Sequence, residues 1–220
     1  VHEIPCIINN FNRLTTTKKL VEDLQKLGYG NVIVLDNCST YPPLLEWYKT
    51  NPCRIEYLNR NYQSLAVYDC GITKEFGTLP WIVYTDSDIE LNPNTPTDFI
   101  NQLIEKAEKY GYTKAGLSIR IDDLPDTQFA NEYKVWEQKY WETSLEEDVY
   151  DAQIDTTFCI IKPTERFDYR ALRLAGNLAC RHIPWYGNFD NLDEEELYYI
   201  EHSLDYSTYK RFYETHKNQK

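Results

Sequence analysis

The 220-residue sequence has no methionine, only 8 glycines and only 4 histidines. With no initiator Met, residue 1 reads as an internal position of a longer protein, so a tail, an anchor or a further domain is left open. Scarce glycine matters more. The loop after the first apolar run is NNFNRLTT, which contains no glycine, and a GxGxxG fingerprint is missing there. A Rossmann oxidoreductase is disfavoured on that ground. No apolar run is long enough to span a bilayer, and the N-terminus lacks the layout of a secretory signal. Positive charge is also short: 23 Lys and Arg stand against 35 Asp and Glu, a formal net charge of -12. Such a field repels nucleic acid and anionic membranes. The cysteines at 6, 38, 53, 70, 159 and 180 include no CxxC pair. Their settings, such as FCII around Cys159, suit reduced, buried thiols and a cytoplasmic or cytoplasm-facing protein. The scattered histidines argue against a structural zinc site.

What is present is a core and many rings. Apolar residues make up 42% of the chain, enough to exclude general disorder. The 19 Tyr, 8 Phe and 5 Trp suit a cleft for a polar organic ligand, or a tyrosine-rich surface without function. Ile4 to Ile8 reads as a strand, and Thr15 or Thr16 as the cap of a helix reaching Leu27. Asn31 to Leu35 is a second strand, ending at Asp36. LLEWYKT is a short helix stopped by Asn51-Pro52, and Arg54 to Leu58 is a third strand. LAVYDCGITKEF then reads as a helix before the nearly continuous apolar strand WIVYTD. Three strand–helix steps leading to such a run predict an α/β fold with a mostly parallel central sheet flanked by helices. Ligands of that architecture sit beyond the carboxyl ends of the strands. The NNFNR loop, Asp36, and Asp86 with Asp88 are all expected at that edge.

Beyond residue 91 the pattern is less regular. Thr97 to Tyr110 is expected to be a helix, Ala115 to Ile121 a strand and Asp155 to Ile161 another. The charged, aromatic stretch from Asp122 to Tyr150 should include a helix lining the cleft. A tail helix around LDEEELYYIEHS follows, with fraying after His216. No linker or repeat divides the chain, which reads as one domain, 1–220.

The sharpest signal is Asp86-Ser87-Asp88 at the end of WIVYTD. Two like charges one residue apart gain nothing by approaching unless a divalent cation, Mn²⁺ or Mg²⁺, lies between them and grips the phosphates of a nucleotide. An ordinary capped turn is the bland alternative. IPCIINNFNR, VIVLDNCST, YLNRNYQSLAVYDCG and YTDSDIEL follow one another in an order that resembles GT-A fold glycosyltransferases, the family-2-like nucleotide-diphospho-sugar transferases. The resemblance spans at least residues 4 to 91. It implies an inverting transferase with a UDP- or GDP-sugar donor and a glycan, glycolipid or small saccharide acceptor. It divides the chain into a nucleotide-binding half, about 1–91, and an acceptor-side half, about 92–220. It also places Asn9, Asn10, Asn12 and Arg13 in the nucleotide pocket and Asp36 near the base or ribose, and makes Asp86 and Asp88 the metal–diphosphate motif. One departure stands out: the usual glycine after an Asn in the third loop is replaced in NRNYQ.

Several residues carry a physical case of their own. Asp36 can accept from a ribose or a base N–H, or cap the turn into NCST. Arg13, Arg60 and Arg181 can each offset diphosphate charge, or be ordinary surface arginines. His182, in ACRHIPWY, is either a third ligand to the cation or a satisfied core histidine. Inversion by direct displacement requires a base for the acceptor hydroxyl. Asp155, leading DTTF, is the first choice, with Asp151, Glu194 and Glu195 as rivals. Trp136, Trp141 and Trp185 are either sugar platforms or core anchors. The alternatives to a transferase are an inactive nucleotide-sugar or carbohydrate-binding domain and a sugar nucleotidyltransferase.

Overall fold

A computed structural model describes residues 3–50, 53–205 and 207–218. The strands are β1 (Cys6–Asn10), β2 (Val32–Asp36), β3 (Arg54–Tyr57), β4 (Ile82–Asp86), β5 (Ile89–Glu90), β6 (Lys114–Ile119), β7 (Ser144–Glu146), β8 (Val149–Asp151), β9 (Cys159–Ile161) and β10 (Leu172–His182). The helices are α1 (Thr15–Lys26), α2 (Pro42–Tyr48), α3 (Ala66–Asp69), α4 (Phe99–Tyr110), α5 (Gln128–Gln138), α6 (Glu194–His202) and α7 (Thr208–Asn218). All the strands join one sheet in the order β3-β2-β1-β4-β9-β6-β10-β8-β7, with β5 pairing β10. The first four run parallel. β9 then inserts antiparallel between β4 and β6, and the sheet is mixed from there on.

Both faces of β1, β2 and β4 are covered, which is why these strands are apolar up to their polar carboxyl ends, whereas the edge strand β3 is partly exposed. Cys6, Ile8, Val32, Val34 and Val83 face a core closed by α1 and α4. Ile7, Ile33, Leu35, Ile82 and Tyr84 face the opposite core, closed by Ala66, Val67, Ile72 and Phe76. In α1 the buried residues Thr17, Leu20, Val21 and Leu24 repeat at helical spacing. In α4 Phe99, Ile100, Leu103 and Ala107 do the same.

Four local expectations are corrected. β1 starts at Cys6 and runs on to Asn10, so Asn9 and Asn10 are strand residues. LAVYDCGITKEF is not one helix: Gly71, at φ +86°, breaks it into α3 and a separate 3-10 turn. The strand expected from Asp155 shrinks to Cys159–Ile161, because Oδ1 of Asp155 turns the chain by accepting from the Thr156 and Thr157 amides. Neither Thr15 nor Thr16 caps α1, whose N-cap position is Leu14. The Asn51-Pro52 stop lies outside the described residues. Residues 217 and 218 belong to α7, and the last two residues lie outside the described ones.

The missing cap of α1 comes from far along the chain. The Glu195 carboxylate accepts from the Leu14 amide (2.9 Å), the Thr15 amide (3.1 Å) and the Thr15 hydroxyl (2.8 Å). An acidic group at a helix N-terminus satisfies orphan N–H donors and opposes the helix dipole. Here it also fastens α6 to the loop between β1 and α1. Among the described residues no helix is long and apolar enough to cross a membrane, and none of the six cysteines is in a disulfide.

Candidate active site

Register brings the polar strand ends together. Asn9 lies opposite Asp86 and Asn10 opposite Asp36. A cavity of about 410 Å³ opens at this edge. Its floor is Asn9, Asn37 and Asp86–Asp88, and its sides are Phe11 and Arg13, the Asn61–Ser64 loop, Asp155 and Thr156, and His182–Trp185. Tyr133 and the α6–α7 residues Tyr199, Ser203 and Tyr209 close it.

Of the residues singled out in the sequence, Asn9, Arg13, Asp86, Asp88, Asp155 and His182 line this cavity. Asn10, Asn12, Asp36, Arg60 and Arg181 do not. Asn10 donates to the Arg13 carbonyl and the Tyr48 hydroxyl. Asn12, at φ +53°, accepts from the Thr40 and Tyr41 amides. Asp36 is 2% exposed and accepts from the Ser39 amide and the Tyr48 hydroxyl. Burial raises its pKa above the ordinary value against those two donors. These three buried residues build the loops behind the cavity. Arg60 lies over the Tyr62 ring. Arg181 is held by Asp123 and Glu90. Among the rival bases, Asp151 ends β8 and Glu194 is exposed, while Glu195 is committed to α1. Trp185 lines the cavity, stacked 4.6 Å from Tyr133, whereas Trp136 is exposed under Lys139 and Trp141 packs edge-on against Tyr150.

The electrostatics are uneven. The strand stops at Asp86, and Asp88 sits in the turn before β5. Burial, then the charges of Asp88 and Asp155, push the Asp86 carboxyl well above its usual range. Its side-chain support is the Thr156 hydroxyl, at 3.1 Å. Asp155 goes the other way. Burial would raise it, but the Thr157 amide and hydroxyl and the Thr156 amide outweigh that and hold it below the ordinary value. All three donors reach Oδ1 (3.2, 3.0 and 2.7 Å), which leaves Oδ2 to the cavity.

His182 is placed by its pairing with Ile89 across β5–β10, and the Ile183 amide donates to the Asp88 carbonyl. Its Nε2 stands 3.5 Å from Oδ1 of Asp88. Asp88 Oδ1 and His182 Nδ1 are buried without a hydrogen-bond partner. Buried polar atoms left unsatisfied in this way are costly unless a ligand completes them. A carboxylate and imidazole donor set fits Mn²⁺ or Mg²⁺. Among the described residues, however, no group of three His, Cys, Asp or Glu side chains is already drawn together around a metal-sized centre. Opposite this acidic edge lies Arg13, 5% exposed, with its guanidinium 3.9 Å from the Tyr199 ring. Its Nε and Nη2 are buried and unpartnered.

Phe11, Asn37, Gln63, Tyr133, Thr156, Tyr199 and Tyr209 were not singled out in the sequence. Asn37 had the clearest signal, following Asp36 directly. It donates to Asn9 Oδ1 and to the Gln63 carbonyl, and accepts from the Tyr62 amide. The tyrosines carry no local signal, being a few among many.

The sequence profile of glycosyl transferase family 2 matches residues 6–165. No curated protein matches the sequence. Among solved structures, the fold is similar to that of the mannosyltransferase PcManGT from Pyrobaculum calidifontis in complex with GDP-Man and Mn²⁺. The TM-score is 0.55 at 12% identity, over 90% of this chain and 59% of that one. The chain thus spans about 59% of that protein's length.

Proposed function

The chain belongs to glycosyl transferase family 2, and on that footing we propose that it transfers a sugar from a UDP- or GDP-linked donor to an acceptor hydroxyl, with a divalent cation and with inversion. The acceptor is a glycan, glycolipid or small saccharide, and the whole of 1–220 acts as one GT-A-like domain facing the cytoplasm, where thiols stay reduced. One observation carries the reading: Asp86, Asp88, Asp155, His182 and Arg13, whose Nε and Nη2 lack hydrogen-bond partners, share the wall of one cavity.

Asp88, His182 and Asp86 would hold Mn²⁺ or Mg²⁺, which when bound supplies positive charge for the departing diphosphate. Arg13 presents its free N–H groups to the same phosphates, strengthened by burial away from water. Asn9, with Asn37 and Gln63 locked behind it, bounds the nucleotide side. Asp155 takes the proton of the acceptor hydroxyl at Oδ2 as that oxygen attacks the anomeric carbon. Its three donors keep it ionised at neutral pH, so it is ready to accept.

The test is a panel of nucleoside-diphosphate sugars with Mn²⁺, run on the parent and on Asp155→Asn. Transfer should fall by about 10²–10⁴-fold in the variant, the scale of general-base catalysis, with donor and metal binding nearly intact. Activity within a few-fold of the parent removes Asp155 as base. A product of retained anomeric configuration overturns direct displacement.

A further inference from the structure

Lys114 opens β6 yet is only 3% exposed. A lysine ammonium has three donors, and here all three go to backbone carbonyls: Ile154 (2.8 Å), Asp155 (2.5 Å) and Asp168 (3.1 Å). A buried cation is normally matched with a carboxylate; this one is spent on main-chain oxygens. Two of the three belong to the turn that carries Asp155. A second buried cation acts on the same turn: Arg173, 4% exposed and paired with Glu137, donates from Nε to the Gln153 carbonyl at 2.7 Å. Beyond these anchors the turn presents the Asp155 carboxylate to the cavity and the Thr156 hydroxyl to Asp86.

We propose that Lys114 is a positioning residue for Asp155: it fixes the 153–157 turn so that the transfer step, rather than donor binding, depends on it. The catalytic half of this inference rests on Asp155 being the base, as proposed above. The physical ground is that the hydrogen bonds at Oδ1 of Asp155 all come from its own turn, from Thr156 and Thr157. Its place relative to the Asp86 edge is therefore set by what holds the backbone. A shift of about 1 Å at a reacting group costs on the order of 100-fold in rate.

The experiment uses the full chain as Lys114→Met, Lys114→Arg, Asp155→Asn and the Lys114→Met/Asp155→Asn double variant. Amide exchange at Thr156 and Thr157, in metal-free protein, should accelerate about 10-fold or more in Lys114→Met, while Ile33 and Val34 keep their protection. With Mn²⁺ and whichever nucleoside-diphosphate sugar the panel identifies, kcat should fall about 10- to 100-fold at nearly constant donor KM. Calorimetric binding of UDP and GDP with Mn²⁺ should stay within about 3-fold of the parent. Lys114→Arg, which retains a cation and donors, should recover most of the rate, and the Met substitution should add nothing once Asp155 is Asn. Unchanged exchange with unchanged kcat, or a loss expressed wholly in KM, overturns the proposal. An active Asp155→Asn overturns the base reading and the catalytic half with it, and the exchange data alone then decide the bracing of the turn. Should Lys114→Met fail to fold, Lys114→Gln is subjected to the same measurements and the same outcomes.

Discussion

Asp86→Asn should stabilise the metal-free protein at neutral pH. Asp86 and Asp88 line the same cavity, and with only Ser87 between them the chain holds their Cα atoms within about 7 Å. Like unit charges at that distance repel by about 2.4 kcal/mol at an effective dielectric near 20. Screening by solvent in an open cavity reduces this to about 1–2 kcal/mol. An asparagine keeps an oxygen for the Thr156 hydroxyl that now reaches the carboxylate at 3.1 Å, so little is lost in exchange. At about 2–4 °C per kcal/mol for a chain of this size, the melting temperature should rise by roughly 2–8 °C. The pH dependence has a definite sign. The fold raises the Asp86 carboxyl above its ordinary value, through burial first and then Asp88 and Asp155. Its contribution is therefore fully present below the unfolded value, about 3.9, and is lost as pH rises through the folded one. Parent and variant should melt together near the acidic limit and separate towards neutrality. Thermal unfolding with chelator, from pH 4 to 8, measures this, and added Mn²⁺ should then raise the parent and leave the variant unmoved. A metal-free Asp86→Asn protein less stable than the parent at pH 7.5 would falsify the idea that this carboxylate is held against repulsion for a ligand.

Asp88→Asn should weaken Mn²⁺-dependent UDP or GDP binding by about 10-fold or more, as followed by calorimetry at matched metal, and unaltered affinity would remove it from the ligand set. Glu195→Ala strips α1 of the cap it receives at the Leu14 and Thr15 amides and should cost about 1–3 kcal/mol in urea unfolding; a loss under about 0.5 kcal/mol would show that water replaces the carboxylate. Gly116→Ala puts a Cβ 2.3 Å from the Phe158 carbonyl oxygen, forcing β6 and β9 apart. A cost of about 2–4 kcal/mol is expected by thermal denaturation, and a silent substitution would mean the strands part more easily than their packing implies.

The elements legible in the sequence are those whose burial is simple. β1, β2 and β4 are covered on both faces, so their apolar runs announce them, and their carboxyl ends meet as expected of parallel strands. β10 was hidden. Its LRLAGNLACRH carries the exposed Gly176 and Asn177 in its middle, where its register with β6 shifts between Leu174 and Ala179. That irregularity breaks the alternation by which a strand is recognised. β7 and β8 are short and partly exposed, so no apolar pattern marks them. In the third loop the missing glycine was visible but its consequence was not. Gln63 takes φ +60°, a conformation that favours glycine. Its carbonyl accepts from Asn9 and Asn37, which holds the strained backbone in place.

Part of the site could not be read locally because it is made by partners far apart in the chain. The family match ends at residue 165, yet His182, Trp185, Tyr199 and Tyr209 lie beyond it and line the same cavity as Asp86. α6 is brought there by three contacts with the N-terminal third: Glu195 at α1, the Tyr198 hydroxyl at the Thr40 carbonyl, and Tyr199 over Arg13. Arg13 shows why the junction matters. Its guanidinium is kept from water by rings of the C-terminal segment, while Glu196, at 3.8 Å, is too distant for a strong bond. A cation so enclosed and so poorly paired favours an anionic ligand more than the same arginine would on an open loop. The acidic edge of the sheet and the cation facing it thus come from the family-matched region, whereas the enclosure that gives the cation its force comes from the residues after it.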